Sequence, residues 1–155
     1  MFSTAEQVRA QIEKVDGYDG YKFGMTIDQA KRVKPSAKQT RCEYASGPMW
    51  CLEYATRVSD FPAEVTVQFP GATPLLTQIL VTFRSLPDNV PRYSCREVGK
   101  EILKLLIAKY ETDALLKGHT VTWTSPHGGS VSLTSLCVGE VEGINVVTYR
   151  TSNPL

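Results

Sequence analysis

Tyr21-Lys22-Phe23-Gly24-Met25-Thr26-Ile27-Asp28-Gln29-Ala30 is the stretch that fixes where a helix begins and how the chain enters it. Thr26 and Gln29 have the spacing of a capping box, in which each side chain binds a backbone N–H at the helix start. The box predicts a helix that runs to about Val33, because Pro35 restricts the residue before it to extended conformations. The chain that follows this helix is rich in strand patterns and punctuated by cysteines.

Two other segments have the periodicity of helices. In residues 3–15, Val8, Ile12 and Val15 recur at helical spacing and predict a narrow apolar stripe. A longer helix is predicted to begin at Ser94, which has Glu97 three residues later as in a capping box. Strands are predicted at 39–44, 49–57, 64–69, 78–84, 119–125, 130–137 and 144–151.

This order of elements predicts an α+β fold, in which helices pack on one face of an antiparallel sheet. Residues 1–86 are the first half, with two helices and four strands. Residues 87–155 are the second half, with one long helix and three strands. Because 155 residues suit one compact domain, we expect the two halves to share a core.

Composition argues against two kinds of partner. A net charge of +1 lacks the concentrated positive charge with which proteins bind nucleic acids. We expect no membrane span, since no apolar run approaches the ~20 residues that a spanning helix needs. The chain opens on Met1-Phe2-Ser3-Thr4 without a leader pattern, so we expect either a cytosolic protein or a secreted one written without its leader.

The cysteines bear on that choice, and they are Cys42, Cys51, Cys95 and Cys137. A strong turn signal between Cys42 and Cys51 places these two on neighbouring strands, which favours their pairing and leaves Cys95 with Cys137. Four reduced thiols are the alternative. A zinc site is not expected, because the sequence has no Cys-x-x-Cys and no histidine at ligand spacing from a cysteine. Two disulfides would indicate a periplasmic or extracellular protein.

The ionisable residues form no recognisable catalytic group. Nucleophilic catalysis needs a serine or cysteine with a histidine base, and the sequence has only His119 and His127. His127 is predicted in a turn and His119 at the start of a strand, and Glu140 and Glu142 flank another turn. We predict no enzymatic activity, no cofactor and no metal site.

Aromatic residues and methionine on exposed turns and faces are the usual anchors of protein interfaces. Met49 and Trp50 follow a Gly-Pro turn that a Cys42–Cys51 bond would stiffen; the alternative is that Trp50 faces the core. Serine and threonine rows at 120–124 and 130–134 predict a solvated sheet face, which is a second candidate docking platform. The predicted partner-binding residues are Tyr44, Met49, Trp50, Tyr54, Trp123 and His127. For Trp123, which shares a strand face with Val121, the alternative is a position in the core.

Residues 20–84 resemble a known family. Phe23-Gly24-Met25-Thr26, Gln29-Ala30 and the Cys42/Cys51 pair across a hairpin are similar to the first repeat of the secreted beta-lactamase-inhibitor proteins. The Gly-Met-Thr helix opening also resembles that of the small outer-membrane-assembly lipoproteins of the BamE/SmpA type, which share a helix-helix-sheet plan. The resemblance implies a sheet whose open face or loops hold another protein, without catalysis.

Three hypotheses about function follow. The first is a secreted or periplasmic inhibitor or immunity-type protein that blocks a partner enzyme by inserting a rigid loop. The second is an envelope assembly or structural module that holds other proteins together. The third is a carrier of a small ligand in the concavity of the sheet.

Overall fold

The structure, a computed structural model, describes residues 15–44, 47–71, 74–87, 93–110 and 114–151. For residues 43, 44, 47 and 48 it describes the backbone only. The predicted helix at 3–15 therefore lies outside the described residues, except for Val15.

The described part of the chain contains two helices and ten strands. Helix α1 spans Ile27–Val33 and helix α2 spans Cys95–Lys109. The strands are β1 (Gly17–Tyr18), β2 (Tyr21–Lys22), β3 (Lys38–Tyr44), β4 (Gly47–Val58), β5 (Phe61–Phe69), β6 (Gln78–Ser85), β7 (Leu115–Lys117), β8 (Thr120–Thr124), β9 (Ser130–Val138) and β10 (Glu142–Arg150).

Eight of the strands form one antiparallel sheet in the order β3-β4-β5-β6-β10-β9-β8-β7. Each half of this order is a run of four strands that follow one another in the sequence, as short turns between antiparallel strands allow. The two runs meet where β6 pairs with β10, with Val81 opposite Val147. The last strand of each run thus lies at the centre of the sheet. Strands β1 and β2 form a separate hairpin.

The predicted α+β fold class is wrong. Strands hold 53% of the described residues, and the two helices do not form the expected helix-helix-sheet unit. Helix α1 is seven residues long and buries only Ala30, which is too little to cover a sheet. Strands β1, β2 and β7 are two or three residues long, too short for an alternating pattern to reveal. The prediction from hydrophobic periodicity therefore gave the helices too large a share of the fold and did not include three of the strands. The predicted antiparallel sheet is confirmed.

One face of the large sheet is covered by α2, α1 and the β1–β2 hairpin. Helix α2 contributes Val98, Ile102 and Leu106 to the core, and the ring of Tyr18 in the hairpin stacks on Tyr149 with centroids 4.8 Å apart. We call this side of the sheet the covered face and the other side the open face. The buried strand residues of the covered face include Leu52, Val65, Val67, Phe69, Ile79, Val81, Phe83, Val131, Leu133 and Val147.

The capping box at the start of α1 is confirmed. Gln29 N donates to Thr26 Oγ1 at 3.2 Å, and Thr26 N donates to Gln29 Oε1 at 3.0 Å. At the start of α2, Glu97 N donates to the Ser94 hydroxyl at 3.4 Å. These bonds satisfy N–H groups that have no partner within the helix, which is why short-range sequence signals place both helix starts correctly.

Both predicted disulfides are present. Cys42–Cys51 joins the neighbouring strands β3 and β4, with Cα atoms 6.1 Å apart. Cys95–Cys137 joins the first residue of α2 to β9, with Cα atoms 5.7 Å apart. All four cysteines are paired, which fits an oxidising compartment. Neither helix in the described ranges is long and apolar enough to cross a bilayer.

Candidate functional site

The open face of the sheet carries neither of the two described helices. The side chains on the open face are those that alternate, along each strand, with the side chains of the covered face. Thr66 lies opposite Leu80, and Leu80 lies opposite Thr148. These three residues are partly exposed, whereas Val67 and Ile79, next to them on the covered face, are fully buried. In the described part of the chain, the centre of the open face is thus a sheet surface without a second packed layer.

Apolar side chains form a contiguous strip across β9, β10 and β6 on the open face. Leu136 lies opposite Ile144, and Val138 and Val146 extend the strip along their strands. Leu80 of β6 lies diagonally from Val146, within reach of its side chain. Val138 is 74% exposed and Leu136 is 51% exposed. We call these five residues the apolar strip.

Hydroxyl side chains lie beside the apolar strip. The hydroxyl oxygens of Thr120 and Thr134 are 2.9 Å apart and share a hydrogen bond between β8 and β9. Ser130, Ser132 and Thr134 form the row on β9 that leads into Leu136. Because these side chains are short, ordering them against a partner costs little side-chain entropy.

Charged residues surround the apolar strip. Arg84 lies opposite Ile144 at one end, and Glu142 lies opposite Val138. An apolar centre with a charged margin is the usual anatomy of a protein interface. The other charged residues that strand register places on the open face are Lys38, Glu53, Arg57, Glu64, Lys117 and Arg150.

The open face is not exposed over its whole area. Cys51 of β4 and Gln68 of β5 lie opposite each other on this face and are 0% and 2% exposed. The open face is therefore buried around these two residues, whereas Leu136 and Val138 of the apolar strip are exposed.

Three of the predicted aromatic anchors lie on the covered face. Trp50 is partly buried against the core, and the guanidinium carbon of Arg41 lies 5.0 Å from the centre of its ring. Trp123 is only 2% exposed. The Tyr54 hydroxyl donates to Asp19 Oδ2 at 2.7 Å. These aromatic side chains therefore serve the core and the hairpin contact rather than the open face.

The other predicted anchors are divided between the two halves of the sheet. Met49 lies on the open face in β4, opposite Cys42. Tyr44 ends β3 near the same edge, and its side chain is outside the described part. His127 is exposed in the turn between β8 and β9, where its backbone N–H donates to the Ser125 hydroxyl at 3.1 Å. The structure places Met49 and Tyr44 on one margin of the sheet and His127 on the other half.

The sequence prediction did not include the apolar strip, although the sequence carries a signal for it. The hydroxyl row of β9 continues with the same period of two from Thr134 to Leu136 and Val138. A change from hydroxyl to large apolar side chains on a solvated face indicates a surface that another molecule covers.

A polar cluster around Asp19 ties the β1–β2 hairpin to β4 and α1. Asp19 Oδ2 accepts from Lys34 Nζ at 2.9 Å and from the Tyr54 hydroxyl. The Lys34 bond, assisted by the Tyr54 bond, holds the pKa of Asp19 below its ordinary value, although partial burial acts in the opposite direction. Burial, followed by the bond to Asp19, raises the pKa of Tyr54. The cluster lies on the covered side, so we assign it a structural role.

The other candidate chemical groups are dispersed. His119 is exposed just before β8. Glu140 lies 3.6 Å from Arg96, and Glu142 lies on the open face. Within the described ranges, no three His, Cys, Asp or Glu side chains are grouped so that they could hold a metal ion.

Comparison of the chain with protein-family models, curated proteins and solved structures finds no match. Function must therefore be inferred from the geometry of the site. In that geometry the apolar strip stands out, because no described element of the chain packs on Leu136 and Val138 enough to bury them.

Proposed function

We propose that the chain is a non-catalytic module that binds another protein through its open face, in the periplasm or outside the cell. The observation that carries this proposal is the apolar strip, which lies in register across three neighbouring strands. Contiguous apolar surface in contact with water is unfavourable, and on soluble proteins it commonly marks an interaction site. The two disulfides support the proposed compartment.

The strip also indicates what the partner presents. Leu136 and Val138 are about half and three-quarters exposed. A partner that covers them is favoured if the centre of its own contact surface is apolar. Full burial of such a side chain contributes about 1.5–3 kcal/mol of favourable free energy, and burial of Leu136 and Val138 in a complex would supply a large part of this amount for each. Charges of both signs around the strip favour a partner with its own mixed charges at the margin. A sheet held by disulfides loses little freedom on binding, which favours tight association.

An inhibitor or immunity-type protein is our first choice within this class. It is supported by the resemblance of residues 20–84 to the secreted inhibitor family, which implies a sheet that blocks an enzyme. An envelope assembly module is the second choice, supported by the Gly24-Met25-Thr26 opening that resembles the assembly lipoproteins.

A matched pair of charge substitutions tests the proposed binding face. A partner captured from the native envelope or secreted fraction is purified, and its affinity for the wild type, Leu136→Asp and Leu105→Asp is measured by titration calorimetry. Leu105 is the control because it is 46% exposed, close to the value for Leu136, but lies on α2 rather than on the open face. The partner's catalytic activity, if it has one, is measured with and without the protein.

We expect a one-to-one complex that Leu136→Asp weakens at least ~30-fold, because an unpaired charge in an apolar contact costs several kcal/mol. Leu105→Asp should bind like the wild type. A partner that binds Leu136→Asp and Val138→Asp as tightly as the wild type would show that the open face is not the interface. Loss of the partner's activity in the complex favours an inhibitor, and unchanged activity within a larger envelope complex favours an assembly module.

A further inference from the structure

A half-open cavity of about 580 Å³ lies between α2 and the strands β7–β9, on the covered side of the sheet. Apolar side chains from both elements line it, including Leu103, Leu116, Val121 and Leu133. Leu133 is buried, but Leu116 is 70% exposed. The volume falls within the ~300–1,000 Å³ that small-molecule sites typically have.

Helix α2 gives the cavity two chemically different ends. Arg96, Lys100 and Leu103 recur at i, i+4 and i+7, so they lie along one side of the helix. The two cations lie near the start of the helix, and Leu103 lies about 10 Å further along its axis than Arg96. Leu116 and Val121 share the cavity wall with Leu103. Both cations therefore lie toward one end of the cavity, where Leu136 and Val138 also line the wall, and the other end is apolar.

The ionisable residues in the described wall of the cavity are Arg96, Lys100 and His119, with no Asp or Glu among them. Arg96 Nε donates to Gly139 O at 2.7 Å and lies 3.6 Å from Glu140 Oε1. Lys100 Nζ lies 3.6 Å from Glu97 Oε1. These side chains are exposed, and exposed ion pairs contribute only ~0–1 kcal/mol. Both cations are therefore able to exchange these contacts for an anion in the cavity.

We propose that this cavity binds a free single-chain amphiphile with an anionic head group, of the fatty-acid class. The carboxylate lies against Arg96 and Lys100, and the hydrocarbon chain lies against Leu103, Leu116 and Val121. A small polar anion would leave the apolar end in contact with water, and a neutral chain would leave the cations unused. Leu136 and Val138 of the apolar strip also line this cavity, and titration of the free protein, without the partner, tests this site separately from the proposed protein-binding function.

Three straight-chain ligands with twelve carbon atoms each test the proposal. Laurate, 1-dodecanol and dodecylammonium differ only in the charge and chemistry of the head group. Each is titrated into the intact, disulfide-bonded protein and followed by calorimetry, with laurate and dodecylammonium below their critical micelle concentrations and dodecanol below its solubility limit. We expect one laurate per chain, with dodecanol bound at least ~10-fold more weakly and dodecylammonium more weakly still, because Arg96 and Lys100 attract only the anion.

Substitutions separate the roles of the two ends. Arg96→Gln with Lys100→Gln should lower the laurate affinity to that of dodecanol, and Leu116→Asp should weaken both ligands. Lys104→Gln is the matched control, because Lys104 is an exposed lysine of the same helix outside the cavity wall. All of these side chains are exposed, so the variants should unfold at the same denaturant concentration as the wild type.

Equal affinity for the three ligands, or no binding of laurate, overturns the proposal. Laurate binding that survives both Leu116→Asp and the double Gln substitution also overturns it, because the ligand then lies elsewhere. Sedimentation with phosphatidylglycerol vesicles without binding of free laurate would identify a membrane surface as the source of the anion, and would likewise reject a free amphiphile.

Discussion

Leu133 and Leu136 lie three residues apart on β9 and point to opposite faces of the sheet. Leu133 lies opposite Val147 on the covered face and is 3% exposed. Leu136 lies opposite Ile144 on the open face and is 51% exposed. The same residue type therefore has two roles on one strand, one in the core and one in the apolar strip.

Truncation of these two leucines should have very different costs for folding. Leu133→Ala should lower the free energy of unfolding by about 2–5 kcal/mol, because it removes buried side-chain volume from a packed core. Leu136→Ala should lower it by less than ~1 kcal/mol, because its side chain is already half in water. Urea denaturation of the two variants measures the difference, and equal losses would contradict the assignment of faces.

Gly99 of α2 packs against the side chain of Asn145 of β10. A Cβ atom at position 99 would be 2.8 Å from Asn145 Oδ1. Asn145 cannot move aside easily, because its Oδ1 accepts from the Ser135 hydroxyl at 2.6 Å and its Nδ2 donates to Cys95 O at 2.9 Å. Asn145 is 0% exposed, so water cannot take the place of its hydrogen-bond partners if the side chain moves.

Gly99→Ala should therefore destabilise the protein by about 1–3 kcal/mol through overpacking, although alanine favours helix formation by up to ~1 kcal/mol over glycine. Chemical denaturation measures the change. In an Asn145→Ala background, the added Cβ enters vacated space, and the cost of Gly99→Ala should shrink or reverse. The same cost in both backgrounds would mean that Asn145 is not the obstacle.

Local elements of this fold could be predicted because their signals are contained in a few consecutive residues. The Thr26/Gln29 box places α1, and the alternation of Val65, Val67 and Phe69 places β5. The order of the strands could not be predicted in the same way. The pairing of β6 with β10 joins distant parts of the chain, and no local pattern specifies which strand becomes its neighbour.

The candidate site shows the same division between local and long-range information. The hydroxyl row of β9 was predicted from its period of two. The apolar strip forms only when register sets Leu136 opposite Ile144, which the sequence alone does not reveal. The alternation of apolar and polar residues along a strand does not reveal which face of the sheet is covered. For this reason Trp50 and Trp123 could be proposed as partner anchors, although both lie on the covered face.

The two disulfides should contribute unequally to stability. Cys95–Cys137 closes a separation of 42 residues and Cys42–Cys51 a separation of 9. In the chain-entropy description, these loops correspond to about 4 and about 2.7 kcal/mol. Denaturation of a Cys95→Ala/Cys137→Ala variant should show a larger loss than a Cys42→Ala/Cys51→Ala variant, each compared with the oxidised wild type. The reverse order would indicate that local packing, rather than loop length, sets the contribution of each bond.

Protonation of Asp19 should weaken the attachment of the β1–β2 hairpin. Its pKa is held below the ordinary value by the bond from Lys34 and, second, by the bond from Tyr54. A carboxyl group whose pKa is lower in the folded than in the unfolded chain stabilises the fold while it is ionised. This stabilisation is fully present above the unfolded pKa of about 3.9, and it is lost as the pH falls through the pKa of the folded state. We therefore expect the attachment of the β1–β2 hairpin to weaken at pH below about 4.

The Asp19→Asn variant isolates the charge, because Asp19 has a φ of 51° and asparagine tolerates this left-handed conformation as well as aspartate does. The Asp19 side chain is 41% exposed, so screening by solvent should limit the loss at pH 7 to roughly 0.5–1 kcal/mol. The difference between the wild type and Asp19→Asn should shrink between pH 5 and pH 2, measured by urea denaturation. Tyr54→Phe removes one donor, so the NMR-measured pKa of Asp19 should rise in that variant. A stability difference that stays constant down to pH 2, with an unchanged Asp19 pKa in Tyr54→Phe, would show that the carboxylate does not hold the hairpin.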